Sequence, residues 1–299
     1  MKGKNACHYA AESGSIDILK LFESNNFDIE AITDHGHNIF HIACIHDKLE
    51  LCQFIAKEYR NMIFAESHEK WNAILFAAKH GYVDILNFLH EQEVCFEQKS
   101  ESDRNALHIA CDNGHLSACK FIIKVCPSLL RIADYKGRHA GHFAARNGNV
   151  DIMKYLVSIK AEVTKNTNTA MNILHMACLH CRKEMCRYLL HTFPAMNLQR
   201  SARGWTTLHF VAEKGINEGN EIEIFEMLIG MKDSLEIKAL TKQNNSVLTL
   251  AMKNKLYDFC EYLLREHSYL LDIPNAINPM EMKTLDTKMK KLLMKYRKS

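Results

Sequence analysis

Among side chains able to do chemistry, histidine and cysteine stand out, at 17 and 11 of 299 residues. Imidazole titrates near neutral pH and binds metals, and thiolate is both a nucleophile and a soft-metal ligand. The densest such group is Cys178, His180, Cys181 and Cys186. Structural zinc usually needs two short Cys or Cys/His pairs that face each other, and no Cys-x-x-Cys unit here faces a second one. No metal site is expected. Acyl transfer, phosphoryl transfer and metalloproteolysis each leave a local signature, yet there is no Gly-x-Ser-x-Gly, no phosphate-binding loop and no His-Glu-x-x-His. The expectation is therefore a chain with no catalytic residues and no cofactor.

The background composition agrees with a folded chain. Forty-seven per cent of residues are hydrophobic and 24% charged, while only 12 Gly and 4 Pro argue against a loop-rich or disordered polypeptide. A net charge of +3 is too small to suggest a nucleic-acid partner. The start of the chain lacks the apolar stretch of a secretory signal, and no apolar run approaches the ~18 residues needed to span a bilayer. An odd number of cysteines without a paired framework suits reduced thiols, so the cytoplasm is the expected compartment, with the nucleus second.

The histidines belong to a period. Asn5-Ala6-Cys7-His8-Tyr9-Ala10-Ala11 returns as Asn38-Ile39-Phe40-His41-Ile42-Ala43-Cys44, and again as Asn105-Ala106-Leu107-His108-Ile109-Ala110-Cys111. The equivalent positions are 8, 41, 75, 108, 142, 175, 209 and 249, spaced by 33 or 34 residues until a final interval of 40. In five copies an Asn stands three residues before that position, where its side-chain oxygen can cap the first turn of a helix. Gly14, Gly81, Gly114, Gly148 and Gly215 stand six residues after it, where a left-handed residue would end the helix. Asp47, Cys181 and Lys255 replace glycine in three other copies. A second amphipathic helix follows, as in Ile18, Leu19, Leu21 and Phe22. A finer period of 67 residues also shows. Even copies carry the pairs Cys44/Cys52, Cys111/Cys119 and Cys178/Cys186, which are expected to be buried core thiols, with Cys95 and Cys181 accessible.

This period and pattern resemble the ankyrin repeat, whose usual first-helix signature is Thr-Pro-Leu-His-x-Ala. The resemblance covers residues 1–272 in eight copies, with the usual Pro replaced throughout. It implies an all-α ankyrin-repeat solenoid with short β-hairpin loops, in which the recurrent histidine ties neighbouring loops together. Residues 273–299 would form a linker and a basic amphipathic C-terminal helix, with Met282, Leu285, Met289, Leu292, Leu293 and Tyr296 on one face. Capping of copy eight is the favoured role for that helix; calmodulin or an acidic membrane surface is the weaker one.

The same resemblance implies a protein-interaction module, an adaptor or scaffold, that binds through its loop tips and first-helix face. Those positions are His37, His46, Trp71, Lys79, His80, Arg104, Arg138, Arg146, Met171, His180, Trp205 and Lys214. Trp and Arg are enriched at binding hot spots. The central cations suggest an extended acidic segment as partner, with substitutions at Trp71 or Arg138 affecting binding and not stability. A monomer is expected. The alternative is the cytoplasmic ankyrin portion of a larger membrane protein, such as an ankyrin-bearing channel.

Overall fold

A computed structural model describes residues 3–213, 220–231, 237–273 and 285–297. The turn inserted in copy seven (216–220) lies almost wholly outside them, as do Lys214, Gly215, Met282 and Lys298. Eight helix pairs are present among the described residues. They are α1 and α2 (Ala6–Ser13, Ile16–Ser24), α3 and α4 (Ile39–Ile45, Leu49–Glu58), α5 and α6 (Ala73–His80, Val83–Glu91), and α7 and α8 (Ala106–Asn113, Leu116–Val125). Then come α9 and α10 (Ala140–Asn147, Val150–Ser158), α11 and α12 (Ile173–Leu179, Lys183–Thr192), α13 and α14 (Thr207–Glu213, Asn220–Ile229), and α15 and α16 (Tyr257–Glu266 being the second, Val247–Lys253 the first). A last helix, α17, spans Thr287–Arg297. Among the described residues, the even copies alone add a 3-10 turn after the second helix, at Arg60–Phe64, Pro127–Arg131, Pro194–Leu198 and Ser268–Asp272. The chain forms two compact units, Met1–Phe143 with Tyr155–Glu162, and Ala144–Lys154 with Val163–Ser299.

The helices begin and end by the expected chemistry. Asn5, Asn38, Asn72, Asn105 and Asn172 each accept a bond from the backbone N–H three residues on, and Ser246 does so for α15. Gly14, Gly81 and Gly114 close α1, α5 and α7 at φ near +80°. Asp47, Cys181 and Lys255 take the same left-handed conformation at φ 57°, 49° and 58° despite their Cβ atoms.

The loops are hairpin turns without extended strands among the described residues. Each opens on a Thr, Ser or Asp whose N–H donates to the carbonyl four residues on, as in Thr33 to His37, Ser67 to Trp71 and Asp134 to Arg138. The opening side chain accepts in return from the N–H of that fourth residue, at 3.1 Å for Thr33, 3.1 Å for Ser67 and 2.8 Å for Asp134. The residue before it is left-handed every time: Gly36, Lys70, Asp103, Gly137, Ala170, Gly204, Asn244. Neighbouring tips are stitched laterally, His68 N–H to the His35 carbonyl and Ala202 N–H to that of Thr169.

The core holds the six paired thiols. Cys44/Cys52, Cys111/Cys119 and Cys178/Cys186 are fully buried, with sulfurs 3.7, 3.5 and 3.9 Å apart. Cys95 is exposed, but the expectation for Cys181 fails, because it is only 3% exposed. The turn between the two helices is a packed place in this fold: a Cβ at Gly14 would lie 2.8 Å from the Lys48 side chain of the following copy. At the far end α17 packs on α16, with Met289 and Leu293 buried.

Candidate protein-interaction surface

The recurrent histidines are structural. In His41, His108 and His175 the Nδ1 atom accepts the backbone N–H of the N-cap Asn, at 3.3, 3.4 and 3.1 Å. A nitrogen that accepts carries no proton, so Nε2 carries it and donates to a carbonyl beyond the second helix: Ala65, Ile132 and Gln199, at 3.0, 3.0 and 3.1 Å. His209 repeats this with Thr206 N–H and the Asn245 carbonyl. Both ring nitrogens are used by the neutral form, and protonation would set N–H against N–H. Burial, outweighing the carbonyl bonds and, for His108, the Asp134 charge, brings His41, His175 and His209 down to about 4 and His108 to about 3.

In the first unit the loop tips and first helices enclose a hollow of about 160 Å³, lined by His35, His37, Ser67, Glu69, Trp71, Phe76 and Lys79. Trp71 is half-buried, its ring 5.2 Å from Phe76 with the Lys79 ammonium 5.7 Å from its centroid. His37 stands edge-on to Phe76 at 5.0 Å. Burial, then the charges of His35, His8, His68 and Lys79, bring His37 down to about 4, so it is neutral at physiological pH. Lys79 is exposed and His80 half-buried, stacked on Tyr82. His46 caps α3 and lies 3.8 Å from Glu12, which also pairs with Lys4.

Two of the expected contact residues are ion-paired within the chain. Arg104 pairs with Asp112 at 2.6 Å, and Arg138 pairs with Asp134 at 2.6 Å, the Asp134 side chain being fully buried. Both guanidinium groups lie over Phe143, at 4.9 and 4.8 Å. Burial alone would raise the Asp134 carboxyl, but its bonds from Arg138 outweigh that and hold it below the usual range. The positive centre read from sequence is thus compensated from within, and Arg138 braces its own loop.

In the second unit Met171, His180 and Arg146 are half-buried, and the Arg146 carbonyl accepts from Arg182 at 3.0 Å. Trp205 is only 7% exposed, set 5.2 Å from Phe210. The reason is the odd-copy aromatic one residue past the histidine position. Phe76, Phe143 and Phe210 each need a flat lid, and the loop-tip residue supplies it as Trp71, Arg138 or Trp205. Among the described residues no group of three or more His, Cys, Asp or Glu is placed to hold a metal ion. No helix there is long and apolar enough to cross a membrane.

Comparison with known proteins gives one consistent result. The profile described as ankyrin repeats in three copies matches residues 60–128 and 123–199, and one described as ankyrin repeats in many copies matches 174–229. The Neurospora crassa ankyrin repeat protein nuc-2 is 23% identical over 145 residues, 48% of this chain and 13% of its own. The human transient receptor potential cation channel subfamily A member 1 is 22% identical over 199 residues, 64% of this chain and 18% of its own. The NF-kappa-B inhibitor cactus of Drosophila melanogaster is 27% identical over 176 residues, 58% of this chain and 28% of its own. The chain thus spans well under a third of the length of each of these relatives.

Proposed function

The chain belongs to the ankyrin-repeat family, and from that premise we propose that it is a non-catalytic adaptor of the cytoplasm that binds a protein partner through the loop tips and first helices of its first unit. The observation that carries this reading is the hollow walled by Trp71, Phe76 and Lys79. It offers two aromatic faces and a cation that makes no ion pair among the described residues. An extended segment fits it by placing an apolar side chain against Trp71 and Phe76 and a carboxylate at Lys79. The acidic character of that segment now rests on Lys79, since Arg104 and Arg138 are already paired. His37, His46 and His80 flank the same surface. Arg146, Met171, His180 and Trp205 remain lesser candidates in the second unit, and Lys214 lies outside the described residues.

Peptides selected on the intact chain from a random display library provide the test. Enrichment of sequences with a carboxylate beside an apolar residue is expected, with binding weakened by salt. Trp71→Ala and Lys79→Glu should each weaken the selected peptides by about tenfold, some 1.4 kcal/mol. Unchanged affinity in both variants defeats the assignment. A second reading, the cytoplasmic portion of a membrane protein, draws on the channel relative, whose similarity extends over 64% of this chain. Sequencing the complete transcript separates the two.

A further inference from the structure

We propose that the notch between the 3-10 turn of copy four and the end of α10 in copy five is a second docking surface. It takes a short acidic protein segment, by one apolar side chain and the carboxylates on either side of it. Copy four carries the turn Pro127–Arg131 and copy five has none after α10, so the turn stands as a step beside its neighbour. At this step a hollow of about 540 Å³ opens, within the first unit and sharing no residue with the loop-tip hollow. Pro127, Leu130, Ile159 and Ala161 give it apolar walls, and the exposed Arg131 and Lys160 add two cations.

The same step one double repeat earlier, between copies two and three, is closed. There the Arg60 guanidinium lies over the Phe64 ring at 5.8 Å and donates to the Gln92 side chain at 3.2 Å, spanning the gap. Ile63 is 0% exposed and Val94 6%. In copies four and five Pro127 replaces Arg60 and Ile159 replaces Gln92, so neither the donor nor the acceptor of that bridge remains. Leu130 and Ala161, the counterparts of Ile63 and Val94, are half-buried, and Ile159 is 36% exposed. Two further exchanges alter the charge: Arg131 stands for Phe64 and Lys160 for Glu93. Neither cation makes an ion pair among the described residues. An apolar side chain gains by leaving water against Ile159 and Leu130, and a carboxylate finds an unpaired cation at Arg131 and at Lys160. Two acids lie at the same hollow: Glu162 in its lining, engaged within the chain, and Glu97, which accepts from Ser128 at 3.1 Å. They oppose a continuous anionic layer such as lipid headgroups, whereas the separate carboxylates of a peptide can be placed to avoid them.

The test titrates the full chain, its isoleucine and leucine methyl groups labelled for NMR, with the capped synthetic peptide Glu-Asp-Leu-Phe-Glu-Asp. The Ile159 and Leu130 methyl signals, assigned by single substitutions, report on the notch alone. Both should move and saturate, less tightly as salt rises, while the same peptide with lysines for its acids should leave them still. Read at Leu130, Arg131→Glu and Lys160→Glu should each weaken binding by about tenfold. Pro127→Arg with Ile159→Gln, which rebuilds the bridge of copies two and three, should weaken it as much. Circular dichroism confirms that each variant keeps its helices, and all four positions line the surface, so the fold should survive. Unchanged affinity in the folded charge variants overturns the proposal, as does equal binding of the lysine peptide. A peptide that binds without moving either signal overturns it too, and leaves the loop-tip reading standing. Phosphatidylserine vesicles that shift these signals where the peptide does not would make the occupant a lipid, which also overturns it.

Discussion

Lowering the pH is the sharpest perturbation for this fold, because its most repeated polar feature works only when uncharged. An ordinary imidazole titrates at 6.5, whereas His41, His175 and His209 titrate at about 4 and His108 at about 3. The folded chain therefore resists protons that the unfolded chain accepts. The stabilisation is complete above pH 6.5 and is lost as pH falls from 6.5 towards 4. A gap from 6.5 to 4 amounts to about 3.4 kcal/mol per imidazole when fully expressed. Near pH 5 each ring binds about 0.9 proton more in the unfolded chain; the first compact unit holds three such rings, His37 with His41 and His108, and the second holds two. The expected slope is about 3.7 kcal/mol lost per pH unit in the first unit and about 2.5 kcal/mol in the second, enough to bring a domain of ordinary stability near its midpoint within about two pH units. Urea unfolding followed by circular dichroism between neutral pH and about pH 5 measures it. His108→Gln cannot titrate and should flatten the slope by about 1.3 kcal/mol per pH unit, although its own stability will be lower. Stability that stays level until the carboxylate range, below about pH 4, would refute the reasoning, since buried neutral imidazoles would then not be the groups being charged.

Other outcomes follow from single contacts. Arg138→Glu should cost about 3–5 kcal/mol, because it leaves the buried Asp134 carboxylate without its partner and places a like charge beside it; melting of the variant checks this, and an unchanged melting temperature counts against the bracing role. Lys255→Gly should stabilise by about 1 kcal/mol, since a φ of 58° strains any residue with a Cβ, and denaturant midpoints would show it. Under native conditions a thiol reagent should modify Cys95 first and Cys126 next. The pairs Cys44/Cys52, Cys111/Cys119 and Cys178/Cys186 should react only on unfolding, because they are buried, and Cys44, Cys111 and Cys178 titrate well above the ordinary thiol range.

Much of the architecture was legible because it repeats. Asn caps, left-handed closers and paired core thiols recur at fixed offsets, so each copy corroborates the others. Local features of that kind need only the spacing. What escaped reading depends on which side chain lies against which. Trp71 and Trp205 share a register position and the same 5.2 Å contact with a phenylalanine, yet one indole is half-buried and the other buried, a difference that spacing does not carry. Arg104 and Asp112, eight residues apart, read as two surface charges until α7 brings them together. The turn rule, a Thr, Ser or Asp four residues before each loop-tip residue, was available in Thr33, Ser67, Ser100, Asp134, Thr167, Ser201 and Thr241. It went unseen because three chemically different side chains perform one task there.

The alternation of ring-bearing and aliphatic copies also dictates how such a chain can be shortened or grown. Removing copy four would set copies three and five face to face, pressing Phe143 against a copy that has Leu75 where an imidazole belongs. Removing two adjacent repeats, about 67 residues, keeps every ring over its histidine. The transferable module of this polypeptide is therefore a pair of repeats, and viable recombinants, whether arising by gene rearrangement or by engineering, should differ from it in steps of two.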